Sequence, residues 1–498
     1  MGFAVEFQCR VGTEIRGCLM RDFELQFSDK LVTPWGGMAL IKRMLDHLRF
    51  DRALSQAGLP QPGSNRGYRP EQLILQMMLS VWCGGNRFEH AEVTRFDRVL
   101  GSIFGINRMA NFKAITRLFG KCTQAVNDRV FGSLYRGLFE QLHIGRVTLD
   151  LDSTVITRFG EQQTGAARGY NPGKPGRRSH HPLMAFVSDV RMIANVWLRP
   201  GNTGSANNVI GFLHATREHL AGKAIGLLRA DSGFCEDAFL RHLEGERINY
   251  IIALKLNQPL QRALVRATQV AQDTQATRAT RTAPPPLGWW ALDEGLEIAD
   301  LMYQAPSWQS PRRITAVRQH IKQRANVNAT AKGKTLSLFA EDEAIGQWRY
   351  AAMVTDLNLA ALQIWRLYRG RADCENRIKE LKYDFAAGSL NLRDFWATEA
   401  ALHTVMMAFN LMSLFRQVLL KQTLRRDGTD KPIQHTLSTL RHQLFAQPGF
   451  ITHEGRRPLL KLATAMQKRE WISGLWDQSK QFDLPVHFTA QFTHPDTS

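Results

Sequence analysis

The chain has 498 residues, enough for about three domains or one domain with large insertions. Hydrophobic residues make up 44% and charged residues 22%, which excludes a mostly disordered chain. Lys plus Arg number 64 against 45 Asp plus Glu; the formal charge of +19 points to an acidic macromolecule as partner, either nucleic acid or an anionic membrane face.

The membrane reading weakens along the chain. No run of 18 apolar residues occurs, and the stretch Leu73 to Trp82 is interrupted by Gln76 and Ser80. The first residues, MGFAVEFQCRVG, lack a basic segment followed by an apolar one, so export is not expected and a cytoplasmic location is. Cys9, Cys18, Cys83, Cys122, Cys235 and Cys374 form no CxxC pair, which argues against a disulfide framework or a zinc ribbon. Nucleic acid remains the leading partner.

Residues 1–144 read as a helical, DNA-binding amino-terminal domain. Helical spacing runs from Met38 to Leu54, from Pro70 to Trp82, from Ala91 to Phe104 and from Phe112 to Leu142, with a loop at Gly58 to Arg69. Asn111 to Lys121 is a candidate recognition helix carrying Lys113, Arg117 and Lys121; bundle packing is the competing reading, and no clean helix-turn-helix spacing exists.

Alternation begins after Gly145. Strands are expected at Val147 to Asp152, Pro182 to Asp189, Met192 to Leu198, Ile225 to Asp231 and Tyr250 to Leu256, with helices at Asn207 to Leu220 and Glu236 to Glu244. That order predicts a mixed sheet with helices on its faces. Residues 267–288 are an Ala/Thr/Gln-rich linker. Ala299 to Gln304, Arg313 to His320 and Thr335 to Phe339 form a β-rich insertion within 261–345, and Arg349 to Thr355 returns to the main sheet. The core thus occupies 145–260 and 346–420, ending in helices from Leu359 to Ala386 and Trp396 to Leu420. The region 421–498 is mixed, with a hairpin-like stretch around Gly455, Arg456 and Arg457.

Asp152 ends the run TLDLD, and Asp231 ends GLLRAD. Sites in open α/β sheets gather at the carboxyl ends of strands, and two carboxylates there suit a hard cation such as Mg²⁺. Asp150 rivals Asp152, since alternation puts both on one face about 6 to 7 Å apart. A turn-forming role for either aspartate is the competing reading. Tyr368, Arg371, Glu375 and Lys382 fall within a stripe about 60° wide on a single helix, while Asp373 and Glu380 point more than about 100° away from Glu375. A solvated charged stripe is the ordinary reading of such a pattern. An acid ringed by two bases and a phenol beside a packing face suits a phosphodiester instead.

The spacing Tyr368-x2-Arg371-x3-Glu375-x6-Lys382 resembles the Y-R-E-K motif of bacterial insertion-sequence transposases of the "family four" superfamily. The segments LDLDSTVITRFGEQ, GYNPGKPGRRSHHPLMAF and LRADSGFC are similar to its "thirteen-eighty" group, and the resemblance runs from about Gly36 to Leu460. Ser232 stands where many relatives have arginine after the second aspartate, as in that group. The resemblance implies an RNase H-like mixed-sheet catalytic core with a β-rich insertion, a helical amino-terminal domain and a helical carboxyl-terminal part. It implies that Asp152, Asp231 and Glu375 are the catalytic, metal-holding triad. Two Mg²⁺ ions are implied as cofactor, with Mn²⁺ able to substitute. Tyr368, Arg371 and Lys382 would contact DNA phosphate near the cleaved end. The implied activity is cut-and-paste transposition: cleavage at the terminal inverted repeats of double-stranded DNA and strand transfer into target DNA, with a hairpin intermediate and a homodimer on paired ends. An RNase H-like nuclease, a non-catalytic transposase-derived DNA-binding protein and a carboxylate-pair sugar hydrolase are the alternatives, the last opposed by the charge.

Other candidates carry less. The loop from Gly165 to His181, with Arg168, Lys174, Arg177 and Arg178, reads either as a phosphate-backbone contact or as an exposed hairpin loop. His180 and His181 are adjacent strand residues and face opposite ways, against a metal pair. Trp289, Trp290 and Trp308 read as core or as stacking platforms for a flipped base. Arg312, Arg313, Arg318, Lys322 and Arg324 make the insertion basic.

Overall fold

The computed structural model describes residues 7–11, 14–18, 25–64, 66–264, 266, 289–320, 348–420 and 435–488. The linker 267–288, the strand expected at Thr335 to Phe339, Lys322, Arg324 and the segment 421–434 lie outside the described residues.

Before Gly145 the described helices are α1 (Ala39–His47), α2 (Phe50–Gln56), α3 (Pro70–Trp82), α4 (Ala91–Arg95), α5 (Arg98–Ile103), α6 (Phe112–Phe119) and α7 (Gln124–Glu140). They are preceded by an antiparallel pair, Phe7–Val11 with Glu14–Cys18, that periodicity did not indicate. Helix α3 begins at Pro70, where a missing N–H costs nothing. Three longer expected helices are each broken. Arg49 takes φ 48° and separates α1 from α2. The Asp97 carboxylate accepts the Leu100 N–H at 2.8 Å and starts α5 afresh. Thr123 caps α7 in the same way. Side chains that bond the backbone locally offer it an alternative to helix continuation, and apolar spacing does not register the interruption.

The core is a nine-stranded sheet of β1 (Arg146–Ser153), β2 (Leu183–Val187), β3 (Met192–Trp197), β4 (Ala224–Ala230), β5 (Tyr250–Leu254), β6 (Trp289–Asp293), β7 (Leu296–Tyr303), β8 (Arg312–His320) and β9 (Trp348–Thr355). Their order across the sheet is β6-β7-β8-β9-β5-β4-β1-β2-β3. Strands β1, β4 and β5 run parallel, and the other pairings are antiparallel. The parallel pairs require crossovers. Helices α8 (Val209–His219) and α9 (Asp237–Gly245) lie in the connections that lead to β4 and β5. The strands of the insertion join this sheet directly, since β9 pairs with β5 on one side and with β8 on the other.

The expected helix from Leu359 to Ala386 is two helices, α10 (Ala361–Arg369) and α11 (Ala372–Tyr383). At the break the Arg371 N–H reaches back only to the Tyr368 carbonyl, 2.9 Å, three residues away. Gly370 supplies the weak point, with no side chain and a low helix propensity. The 25-residue α12 (Phe395–Leu419) is apolar nearly all round and almost wholly buried, as a central helix must be. Its Asn410 amide meets both the N–H and the carbonyl of Ile193, each at 2.7 Å, and so closes the edge strand β3. The amino-terminal helices share this helix: Trp82 donates to the Ala408 carbonyl at 3.2 Å, and Tyr135 meets His403 at 3.2 Å. Beyond it lie α13 (Leu437–Leu440), a hairpin of Gly449–Glu454 with Arg457–Leu462 turned at Gly455, and α14 (Met466–Gln478). Buried Glu380 on α11 ties the parts together through Arg416 of α12 and the Leu437 N–H. Among the described residues no helix is long and apolar enough to cross a membrane.

Candidate active site

The neighbouring parallel strands β1 and β4 bring their carboxyl ends to one edge, in register as Arg229 with Asp150 and Ala230 with Leu151. Asp152 is the penultimate residue of β1 and is buried; Asp231 follows β4 directly and is half-buried. Asp231 opens a tight turn in which its Oδ1 accepts the Gly233 N–H at 2.9 Å. A Cβ at Gly233 would stand 3.1 Å from that oxygen and 2.9 Å from the Ser205 side chain, so the turn has room only for glycine.

The α10–α11 corner supplies the rest. Arg371 lies at the break and is buried, with Nη2 2.9 Å from Asp152 Oδ2 and 3.2 Å from the Leu151 carbonyl. Its Nη1 is 3.8 Å from Glu375 Oε1, one turn along α11, where Glu375 is exposed. Lys382, further along α11, donates to the Val155 carbonyl at 3.2 Å, just beyond β1. Tyr368 is half-buried at the end of α10, and its phenol is pushed up chiefly by burial, with Arg371 opposing and Asp231, Asp152 and Glu375 adding to the rise. The four residues were placed on one continuous helix by their spacing. They come together across a broken one, because Gly370 keeps helical backbone angles (φ −58°, ψ −20°) and the angular order survives.

The electrostatics follow from that crowding. Burial pushes the Asp152 carboxyl up to about 6; Arg371 opposes the rise, and the negative charges of Asp231 and Glu375 add to it. Burial lowers Lys382, with Asp152 pulling the other way. Three carboxylates therefore face one guanidinium and one ammonium. An all-oxygen set with surplus negative charge fits a hard divalent cation. Among the described residues no three acid, histidine or cysteine side chains are drawn together at metal-holding separations, since Arg371 stands between Asp152 and Glu375.

Sequence reasoning named Asp150 as a rival to Asp152 but missed its partner and several other neighbours of the site. Asp150 is taken up by buried Arg229. The buried Cys374 thiol sits 3.9 Å from Asp152 Oδ2. Beside Asp231 and Lys382 opens a cavity of about 400 Å³ lined also by Thr154, Tyr170, Asn171 and His181. The stretch GYNPGKPG was the available signal, with its turn residues.

The loop Gly165 to His181 holds part of a small sheet: Ala167–Arg168 and Ile156–Thr157 each pair with Arg178–His180. Arg168, Lys174, Arg177 and Arg178 are all exposed on it. His180 accepts from Arg158 at 2.9 Å and meets the Thr164 carbonyl at 3.0 Å, so both ring nitrogens are engaged; burial first, then Arg158, lowers it to about 4. Trp308 is buried against Tyr303 and Arg312, which closes it to a base. Trp289 and Trp290 are half-buried, and the Arg318 guanidinium lies over the Trp289 ring at 4.3 Å. Lys113 and Arg117 are exposed on α6; Lys121 is tied to the Gln61 carbonyl at 2.8 Å.

The sequence matches the family described as Transposase DDE domain group 1 over residues 17–481. No curated protein matches. Among solved structures, a piggyBac transposase synaptic complex with hairpin DNA, determined by cryo-electron microscopy, is similar at 12% identity and a TM-score of 0.40, covering 83% of this chain and 81% of that one.

Proposed function

The chain belongs to the transposase DDE domain family, and on that premise we propose that it is a bacterial insertion-sequence transposase of the thirteen-eighty-like group. It cuts the terminal inverted repeats of its own element in double-stranded DNA and joins the freed ends to target DNA. The observation that carries this reading is that Arg371 contacts Asp152 and approaches Glu375, while the charges of both Glu375 and Asp231, at the end of the neighbouring strand, act on Asp152. The sheet order β3-β2-β1-β4-β5, antiparallel then parallel, supports an RNase H-like core within it.

Asp152, Asp231 and Glu375 would hold the divalent ions, Mg²⁺ or Mn²⁺, whose chemistry would be to activate the attacking water and to stabilise the leaving 3′ oxygen. The residues of the chain do the rest. Tyr368, Arg371 and Lys382 grip the phosphate beside the bond to be cut, and the burial of Asp152 strengthens each charge interaction there. Arg177 and Arg178 lie along the backbone of the same duplex. Hydrolysis forms a bond from water oxygen to phosphorus and releases a 3′ hydroxyl. That hydroxyl then attacks a target phosphate, and the target's own 3′ oxygen leaves. Two chains, one on each end, would hold the ends together.

The test is a cleavage and joining assay with Mg²⁺ and the DNA that flanks the gene, including any short inverted repeats found there. Nicked ends and joined products are expected, both lost in Asp152→Asn. Cutting without joining, even from pre-cut ends, would leave a nuclease. Duplex binding with no nick would leave a DNA-binding protein.

A further inference from the structure

The Arg371 guanidinium occupies the place where a cation is wanted. It is buried with Asp152 at the end of β1, 2.9 Å from that carboxylate, and lies 3.8 Å from the exposed Glu375 on α11. Its hold is incomplete. The buried Nε–H has no hydrogen-bond partner among the described residues. A guanidinium has five donors arranged to take a carboxylate or a phosphate two-pronged. The geometry on Asp152 therefore leaves a donor unsatisfied that a phosphate oxygen could take.

A guanidinium on Asp152 Oδ2 and a divalent ion on the same oxygen exclude one another, by space and by repulsion of like charge. We propose that Arg371, seated on Asp152, is a resident cation that closes the carboxylate site, and that a DNA phosphate opens it by drawing the guanidinium away. This rests on the triad reading above and adds a coupling to it. DNA and metal would each raise the affinity for the other, because each favours the state in which Arg371 has left Asp152. Such coupling is reciprocal and amounts to about 5- to 150-fold. The location of Arg371 serves this exchange: the break at Gly370 puts it at a helix junction rather than inside a continuous turn, with its backbone N–H bonded only to Tyr368. The consequence is a chain that does not assemble hydrolytic metal until a phosphodiester is in place.

The test is Mn²⁺ binding to the full chain, read by the loss of the free-ion electron paramagnetic resonance signal. Without DNA, Arg371→Gln is expected to bind Mn²⁺ about 5- to 150-fold more tightly than the parent. Adding a short mixed-sequence duplex should tighten the parent by a similar factor and leave Arg371→Gln unchanged. Asp152→Asn, measured with the same duplex, subtracts ions held by DNA alone. If Arg371→Gln does not fold, the parent titrations with and without duplex still decide the matter. Equal Mn²⁺ affinity in the parent with and without duplex overturns the proposal while leaving the triad standing. Loss of no Mn²⁺ site in Asp152→Asn would instead overturn the triad reading.

Discussion

Asp150 and Arg229 face each other across β1 and β4 and join in a two-pronged ion pair, Nε to Oδ1 at 2.6 Å and Nη2 to Oδ2 at 2.8 Å. Both are buried, and Arg229 also donates to the Ser188 hydroxyl at 3.0 Å and to the Leu367 carbonyl at 2.5 Å. The pair therefore clamps the end of α10 onto the sheet, one residue before Tyr368. Asp150 and Asp152 share a strand face, yet only Asp152 reaches the cluster at the sheet edge. Breaking a buried pair from one side strands the other charge, at a cost of about 3–5 kcal/mol. Asp150→Asn should lower the unfolding free energy by that order and move the urea midpoint down with it. Asp152→Asn should cost less, since Arg371 keeps the Leu151 carbonyl and Glu375. A parent-like midpoint for Asp150→Asn, with cleavage lost, would move the catalytic role to Asp150.

The acids of α11 separate by direction. Asp373 is bound to Arg377 at 2.9 Å and lies 3.7 Å from Arg191, away from Asp152. Glu380 is buried against Arg416. Only Glu375, among the acids of this helix, stands by Arg371. Asp231→Asn and Glu375→Gln should each slow end cleavage by at least about 10²-fold, the scale lost with a group that stabilises developing charge. Asp373→Ala should cut near the parental rate. Quantifying nicked ends on a denaturing gel decides between them, and a dead Asp373→Ala beside an active Glu375→Gln would reverse the assignment.

Arg177 and Arg178 stand exposed on a loop whose backbone pairing with Ala167 and Arg168 does not need their side chains. Each phosphate contact contributes about 0.9 to the slope of log affinity against log salt. The double change to alanine should weaken duplex binding at low salt and flatten that slope by up to about two. An unchanged slope in a fluorescence-anisotropy salt series would remove the loop from the DNA path.

What the sequence made legible follows from what periodicity records. TLDLD and GLLRAD read as strands ending in acids because alternation with period two is local. The Tyr368-to-Lys382 stripe was legible for a different reason. Gly370 breaks the hydrogen bonding of the helix but stays in the helical region of backbone angles, so the angular order passes through the break unchanged. The same property hid the break. Contacts distant in the chain left no trace in the pattern: Asn410 on the peptide of Ile193, Arg229 on the Leu367 carbonyl, and Arg371 turned inward onto Asp152. A basic residue beside a phosphodiester site reads as a phosphate ligand from sequence, and only the fold reveals a carboxylate already holding it.

Glu399 gives the chain a pH dependence apart from the site. It is buried on α12, accepting from the Leu198 N–H at 3.0 Å and from the Asn127 amide at 3.1 Å. Burial raises its carboxyl to about 7; the two hydrogen bonds oppose this, and Asp128 adds to it. A carboxyl raised on folding stabilises the protonated native state. That stability is fully present below the unfolded value near 4.5 and is lost as pH rises through about 7. The loss amounts to about 3 kcal/mol at most. His403, one turn along α12, works in the opposite sense: burial lowers it to about 3, so its contribution is present above the unfolded value and is lost as pH falls. The net curve of the parent therefore mixes the two, and the difference between parent and Glu399→Gln isolates the first. The amide is neutral throughout and keeps an acceptor for one of the two donors. Chemical denaturation at a series of pH values should show Glu399→Gln gaining on the parent steadily from about pH 5 to pH 8. A constant offset across that range would mean that Glu399 is already ionised in the folded chain, held by its two donors against the cost of burial.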